Sequence, residues 1–156
     1  MPQDKKLTRQ MINDALGKEI SSKEFIAITD ILGEPEIYTD IEEDTMNYSW
    51  YQHGIDIVVN YEAKTFYNIF LYPNGTTSEV EYIKDRKPCK PICEENSFDQ
   101  NISMQEVRDK YGEPDAEGNH PKESALLYRN IHTYTIRFTF DDKSKLYEIV
   151  IGMRSN

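Results

Sequence analysis

Glycine and cysteine are scarce in this sequence: its 156 residues include seven glycines and two cysteines. A phosphate-binding loop needs closely spaced glycines, and a structural zinc site needs about four ligands. No glycine-rich loop occurs, and Cys89 and Cys93 have no second cysteine pair to complete a zinc site, although His120 or His132 could add a ligand. We therefore predict no cofactor and no metal site.

Catalytic signatures are absent as well. The sequence contains no Ser-x-x-Lys, Gly-x-Ser-x-Gly or His-Glu-x-x-His motif. His53 and His132 lie at strand junctions, where a structural turn residue is the simpler interpretation. Cys89 as a nucleophile would need a nearby base, and the prolines around it indicate a linker instead. We predict that the protein has no catalytic residues and is not an enzyme.

No run of about 18 apolar residues occurs, which is the length that a membrane-spanning helix needs. The N-terminal residues Met1–Lys6 are not followed by an apolar stretch, so we expect no signal peptide and a cytoplasmic protein. In the cytoplasm the two cysteines are expected as thiols, although a disulfide within a linker is sterically possible.

Basic residues are outnumbered: 18 Lys and Arg stand against 28 Asp and Glu, for a net charge of −10. A surface this acidic repels nucleic acid and anionic membranes. It favours a more basic protein as the partner, which it can steer from a distance. The alternative is that the acidity serves solubility alone. We predict a protein partner, with no nucleic acid and no membrane.

A long segment of the chain occurs twice. Phe25–Lys64 aligns without a gap with Met104–Lys143, so that Gly33-Glu34-Pro35 falls on Gly112-Glu113-Pro114. The apolar positions of the two segments match as well. Self-similarity of this length indicates two copies of one structural unit.

The spacing of apolar residues predicts the helices and strands. Helices are expected over residues 4–16, from the capping-box segment Ser21–Glu24 to Leu32, and over 101–111. Alternation and turn signals predict strands over residues 45–52, 55–61, 66–72, 76–84, 124–130, 132–140 and 146–153. Glu36–Asp44 and Asp115–Glu123 are expected to be polar loops.

These elements predict an α+β fold of two tandem helix-plus-antiparallel-sheet repeats, with the helices packed on one sheet face. Residues 1–84 would form the first repeat, 85–100 a linker with both cysteines, and 101–156 the second repeat, together one compact unit. The last strand, Leu146–Met153, is expected to lie at an edge that could pair with another chain, so homo-oligomers could form.

The capped helix, the Gly-x-Pro stop and the antiparallel strands, each present twice, resemble the tandem fold of the β-lactamase inhibitor proteins. They also resemble the single-copy BamE/SmpA/OmlA family of outer-membrane assembly lipoproteins. The segments that carry this resemblance are Gly17–Phe25, Leu32–Pro35 and Tyr51–Tyr72, with their second-copy counterparts.

The aromatic strand and the alternating apolar residues of Trp50–Ile57 also resemble small cytosolic immunity proteins of bacterial polymorphic toxin systems. A lipoprotein or a secreted inhibitor would need a signal, and a lipoprotein would also need a cysteine near the N-terminus. Because the sequence shows neither, the resemblance implies a cytosolic binding protein.

Trp and Tyr often anchor protein interfaces, and acidic loops suit a basic partner. The candidate partner-binding residues are Asp40, Glu42, Glu43, Asp44, Trp50, Tyr51, Tyr72 and Arg137. The alternative for the aromatic residues is the core of the sheet. We expect a non-catalytic inhibitor, most concretely an immunity protein that neutralises a cognate bacterial toxin by occlusion. The alternatives are an envelope or outer-membrane assembly module of the BamE type and a small-molecule-binding domain.

Overall fold

The computed structural model describes residues 6–78, 81, 84–90, 102–131 and 134–153. The helices are α1 (Arg9–Ala15), α2 (Lys23–Leu32) and α3 (Met104–Tyr111). The strands are β1 (Glu36–Asp40), β2 (Thr45–Trp50), β3 (Ile55–Asn60), β4 (Phe66–Leu71), β5 (Ala116–His120), β6 (Glu123–Ile131), β7 (Tyr134–Asp141) and β8 (Leu146–Met153). Among the described residues, no helix is long and apolar enough to cross a membrane.

All eight strands join in one antiparallel sheet, in the order β1-β2-β3-β4-β8-β7-β6-β5. At its centre β4 pairs with β8, where Ile69 lies opposite Ile151 and Leu71 opposite Ile149, and all four side chains are buried. The predicted fold of two tandem helix-plus-sheet repeats is therefore wrong, since the described residues form mostly one continuous sheet with three short helices. Separate units would expose this apolar seam and leave two further strand edges unpaired.

The prediction that Leu146–Met153 lies at an edge is wrong for the same reason. β8 lies between β4 and β7, and the edges of the sheet are β1 and β5. Both edge strands fall within the segments predicted to be polar loops. Their side chains are mostly exposed, so they lack the alternation that reveals a strand, and pairing of their backbones with β2 and β6 forms them instead.

The helix ends also differ in part from their prediction. The N-cap of α1 is Thr8, whereas residue 4, where this helix was predicted to begin, lies outside the described residues. Ser22 rather than Ser21 caps α2, because its hydroxyl oxygen accepts from the N–H of Phe25 at 3.2 Å. The full capping box occurs on α3 instead, where Ser103 and Glu106 bind each other's backbone N–H groups.

Aromatic side chains hold the helices against one face of the sheet. Phe25 of α2 meets the rings of Tyr48 and Phe66 edge-on, with centroid distances of 6.0 and 5.6 Å. On α3, the ring of Tyr111 is tilted against the rings of Tyr128 in β6 and Phe138 in β7, with centroid distances of 5.7 and 5.4 Å. The hydroxyl of Tyr134 donates to the carbonyl of Asn13 in α1 at 2.8 Å. These contacts bury one face and leave the other, here called the open face, for other interactions.

Candidate binding face

The open face carries a row of cross-strand neighbours that crosses the whole sheet. Because residues directly opposite each other in paired strands share a face, the register defines this row strand by strand. From β1 to β5 it consists of Glu36, Ser49, Asp56, Phe70, Val150, Arg137, Leu127 and Ala116. The row is polar or charged over β1 to β3, apolar at the central seam, and charged again on β7.

A buried ion pair occupies the first half of this face. Nη2 of Arg86 lies 2.6 Å from Oδ2 of Asp56, and Nε lies 3.0 Å from Oδ1, so the contact is bidentate. The amide of Asn47 donates to the same carboxylate at 3.2 Å, and Nη1 of Arg86 donates to the Thr76 hydroxyl at 3.3 Å. The Asp56 side chain is only 5% exposed. Such a pair is tolerated because each charge is neutralised and hydrogen-bonded.

Two tyrosines enclose the guanidinium of Arg86. Its carbon lies 5.2 Å from the ring centroid of Tyr51 and 4.7 Å from that of Tyr72, both within cation–π range. Burial, and then the negative charge of Asp56, raise the pKa of Tyr72 above its ordinary value. Burial alone would lower the pKa of Arg86, but the bonds and charge of Asp56 outweigh it and raise that pKa.

Arg86 reaches the sheet because its segment folds back over the first half. Thr76 and Arg86 exchange backbone hydrogen bonds at 3.0 Å, and the N–H of Lys87 donates to the carbonyl of Tyr51 at 2.8 Å. Gly54 permits the close approach, since a Cβ there would lie 2.1 Å from the carbonyl oxygen of Lys87. Part of the predicted linker is therefore attached to the sheet.

A groove of about 510 Å³ lies between this ion pair and the edge strand. Its lining comprises Glu36, Ile37, Tyr38, Asn47, Ser49, Tyr51, Asp56 and Arg86. Apolar side chains on and beside β1 are accessible: Ile37 is 52% exposed, Tyr38 63%, and Ile41 in the following turn 70%. We call these three residues the β1 patch. Tyr38 lies on the open face, opposite Asn47, whereas Ile37 lies on the helix face, opposite Tyr48.

The predicted acidic loop forms the hairpin turn beside the β1 patch. Glu42 and Glu43 are exposed there. The two aspartates have structural contacts: Asp40 accepts from the N–H of Glu43 at 3.1 Å, and Asp44 accepts from the amide of Asn60 at 2.8 Å. The two glutamates are thus the members of this loop that a partner can reach.

The four remaining predicted residues lie in different environments. Trp50 is 3% exposed on the helix side, where its indole N–H donates to the carbonyl of Gly33 at 2.9 Å. Tyr72 is buried on the open face, and Tyr51 is partly buried at the groove. Arg137 lies in the other half and pairs with Glu148 at 3.1 Å. The structure therefore brings the acidic turn and Tyr51 to one end of the sheet, whereas Trp50 lies at that end on the helix face and Arg137 lies in the other half.

Sequence reasoning missed Asp56, Arg86 and Asn47 as site residues. The available signal was a single carboxylate within the otherwise apolar run of β3, since a buried charge requires a partner. Its partner Arg86 comes from a segment without periodicity, so no local pattern could identify it.

The titratable residues considered as catalytic or metal-binding are dispersed. His53 is exposed in the β2–β3 turn, and Cys89 is buried with its N–H donating to the carbonyl of Tyr72 at 2.9 Å. His132 and Cys93 lie outside the described residues. Within the part of the chain that the structure describes, no group of three or more His, Cys, Asp or Glu residues is arranged to hold a metal.

No model of a known protein family matches this sequence, and no curated protein matches it. Among solved structures, the chain is similar to a DUF4309 family protein, YjgB, from Bacillus subtilis subsp. subtilis str. 168. The TM-score is 0.54 at 13% identity, and the match covers 98% of this chain and 86% of that one.

The chain is also similar to an extracellular protein containing a SCP domain from Bacillus anthracis str. Ames. The TM-score is 0.56 at 12% identity, over 98% of this chain and 48% of that protein, so the present chain spans about half of it. At these identities the likeness concerns the fold alone.

Proposed function

We propose that this chain is a non-catalytic protein-binding module that engages a more basic protein through the β1 end of its sheet. The observation that carries the proposal is the β1 patch, where Ile37, Tyr38 and Ile41 are all more than half exposed at one sheet edge. Exposed apolar residues along both faces of an edge strand suit a partner that pairs with the strand, and the edge also offers unpaired backbone groups to it.

The charges beside the patch favour a basic partner over a second copy of this chain. An antiparallel pairing of β1 with itself about Tyr38 would place Glu36 opposite Asp40 of the second copy, and like charges in that position are destabilising. A strand or loop with lysines or arginines meets Glu36, Glu42 and Glu43 favourably, all of which are exposed.

The most concrete form of this function is immunity: the chain would bind a cognate bacterial toxin in the cytoplasm and occlude its active site. A toxin that acts on nucleic acid would present a basic surface, and acidic side chains can cover such a surface. This form depends on the acidic composition and on the resemblance described above.

The test is affinity capture by the tagged protein from its own bacterium, at low and at raised salt. We compare a variant with Ile37, Tyr38 and Ile41 changed to Ser against Ile26→Ser, which removes an exposed apolar residue from α2 instead. The expected result is one basic toxin, retained by the control, lost by the β1 variant and weakened by salt. Capture that is equal for both variants, or of no basic protein, would contradict the proposal.

An extracellular binding module is the second candidate. It is favoured by one observation, namely that one of the similar solved structures belongs to a protein described as extracellular. Fractionation of the producing cells distinguishes the two, because an immunity protein remains with the cytoplasm. Recovery in the medium or cell envelope would exclude a cytoplasmic immunity role and leave protein binding to be tested against surface partners.

A further inference from the structure

We propose that a second groove, on the open face at the central seam, binds a small monocarboxylate with an apolar body. This groove has a volume of about 280 Å³ and crosses β4, β8, β7 and β6. It is separate from the β1 patch and does not depend on the function proposed above. Its floor is apolar at the seam, where Phe70 lies opposite Val150, and Leu127 adds a further apolar side chain on the other side of Arg137.

A polar amide is placed next to this floor by a glycine. In the adjacent row, Asn68 lies opposite Gly152, which lies opposite Thr135. A Cβ at Gly152 would lie 2.0 Å from Oδ1 of Asn68, so the Asn68 side chain occupies the space that any other residue would fill. Among the described residues the side-chain amide of Asn68 has no hydrogen-bond partner, so it can bind a ligand. A small pocket with an apolar floor and a few placed polar groups is the usual form of a ligand site.

The groove also has an excess of positive charge, in a chain whose net charge is −10. Arg129 and Arg137 line it, and none of its lining residues is acidic. Arg137 already donates to Glu148 at 3.1 Å. Asp115 accepts from the backbone N–H of Arg129 at 2.6 Å, and within the described residues the Arg129 guanidinium has no recorded partner. One uncommitted guanidinium therefore remains for an anion.

The class of ligand follows from these features. A guanidinium matches the two oxygens of a carboxylate in a bidentate contact. A single available cation suits a single negative charge better than a phosphate dianion. The apolar floor requires an apolar group attached to that carboxylate, and the volume restricts this group to about the size of one aromatic ring.

The experiment uses three probes of nearly equal shape: phenylacetate, its neutral amide phenylacetamide, and the cation phenethylamine. Each is titrated into the full-length ¹⁵N-labelled protein while amide signals are followed by NMR. We expect phenylacetate to shift the signals of Asn68, Thr135, Val150 and Gly152, and to bind at least about tenfold more tightly than phenylacetamide, because one charge-assisted contact is worth about that factor. Phenethylamine should not bind.

The matched variants are Arg129→Gln and Lys122→Gln, which remove one positive charge inside and outside the groove. Lys122 lies in the β5–β6 turn, and because Lys122 and Arg129 are both exposed, both variants should fold normally. Arg129→Gln should weaken the binding of phenylacetate about tenfold and leave the affinity for phenylacetamide unchanged. Lys122→Gln should change neither affinity. Equal binding of acid and amide, equal effects of the two variants, or no localised shifts up to the solubility limit would each overturn the proposal.

Discussion

Asp56 shows at the scale of a residue how this sheet accommodates a charge. The carboxylate is buried on the open face, yet three donors from Arg86 and Asn47 reach it. In return, Asp56 holds the segment 84–90 against the sheet through Arg86. Burial of one charge thus depends on the position of the other, and the loss of either leaves an uncompensated ion.

Asp56→Ala should lower the free energy of unfolding by about 3 kcal/mol or more, because Arg86 would remain buried without its partner. Urea denaturation measures the effect. Lys84→Ala is the matched control, since the Lys84–Glu36 pair is 67% and 56% exposed and such pairs contribute about 0–1 kcal/mol. Similar losses in both variants would show that the buried position of the Asp56 pair has no special effect.

The partly buried carboxyl group of Glu148 should make the stability of the protein depend on pH. Burial raises its pKa above the ordinary value of 4.5, and the charge of Arg137 offsets this only in part. As the pH rises above 4.5, Glu148 loses its proton in the unfolded chain before it does so in the folded protein. The free energy of unfolding therefore falls with rising pH until the pH exceeds the pKa of Glu148 in the folded protein. Glu148→Gln removes this loss.

The expected result is that Glu148→Gln gains stability relative to the unchanged protein between about pH 4 and about pH 7. Urea denaturation at the two pH values measures the free energy of unfolding of the Glu148→Gln variant and of the unchanged protein. The same measurement on Glu117→Gln, a variant of the edge strand β5, is the control. A difference that is constant with pH, or that shrinks as pH rises, would contradict the raised pKa of Glu148.

At the scale of an element, the short helices depend on their caps. Each described helix begins after a hydroxyl residue whose side chain accepts a backbone N–H: Thr8, Ser22 and Ser103. A helix of seven to ten residues has little stability by itself, so the cap and the aromatic contacts with the sheet determine where it starts.

Ser22→Ala should destabilise the protein by about 1 kcal/mol, because the N–H of Phe25 loses its acceptor at the start of α2. Ser21→Ala, one position earlier, should cost less than about 0.5 kcal/mol, as is usual for an exposed residue. Thermal or urea denaturation of both variants checks the assignment. A larger effect at Ser21 would favour the cap that the sequence pattern predicted.

At the scale of the whole molecule, the β4–β8 seam links the two halves of the chain into one sheet. The single tryptophan, Trp50, lies in the first half, and Leu126 of β6 is fully buried in the second. If the seam makes folding cooperative, a substitution that destabilises one half must also lower the unfolding midpoint measured by a probe in the other half.

Leu126→Ala should therefore shift the unfolding transition of Trp50 fluorescence to lower urea, by about 2–5 kcal/mol in free energy. The transition measured by circular dichroism should coincide with it. If Trp50 fluorescence keeps its midpoint while circular dichroism shows an early second transition, the halves unfold independently and the single-unit view is wrong.

The candidate site could be predicted only in part. The acidic turn at residues 40–44 was recognisable from composition, and Glu42 and Glu43 are indeed exposed there. The aromatic residues were not separable in the same way: Trp50 and Tyr51 are neighbours, but one faces the helices and the other the groove. To assign each aromatic residue to a face, one must know which face of β2 packs against the helices. The sequence of β2 alone does not contain this information.

The sequence by itself determined the helices and the inner strands of the sheet, but not the two edge strands. Period-two alternation defined β3, the apolar stripe with its glycine stop defined α2, and these depend on residues close together in the chain. Only the tertiary structure decided that β4 and β8 pair, that β1 and β5 become the edges, and that Arg86 neutralises Asp56. These contacts join residues that are far apart in the chain, so no local sequence pattern encodes them. They form because burial of the apolar seam and pairing of the buried charge both lower the free energy of the folded protein.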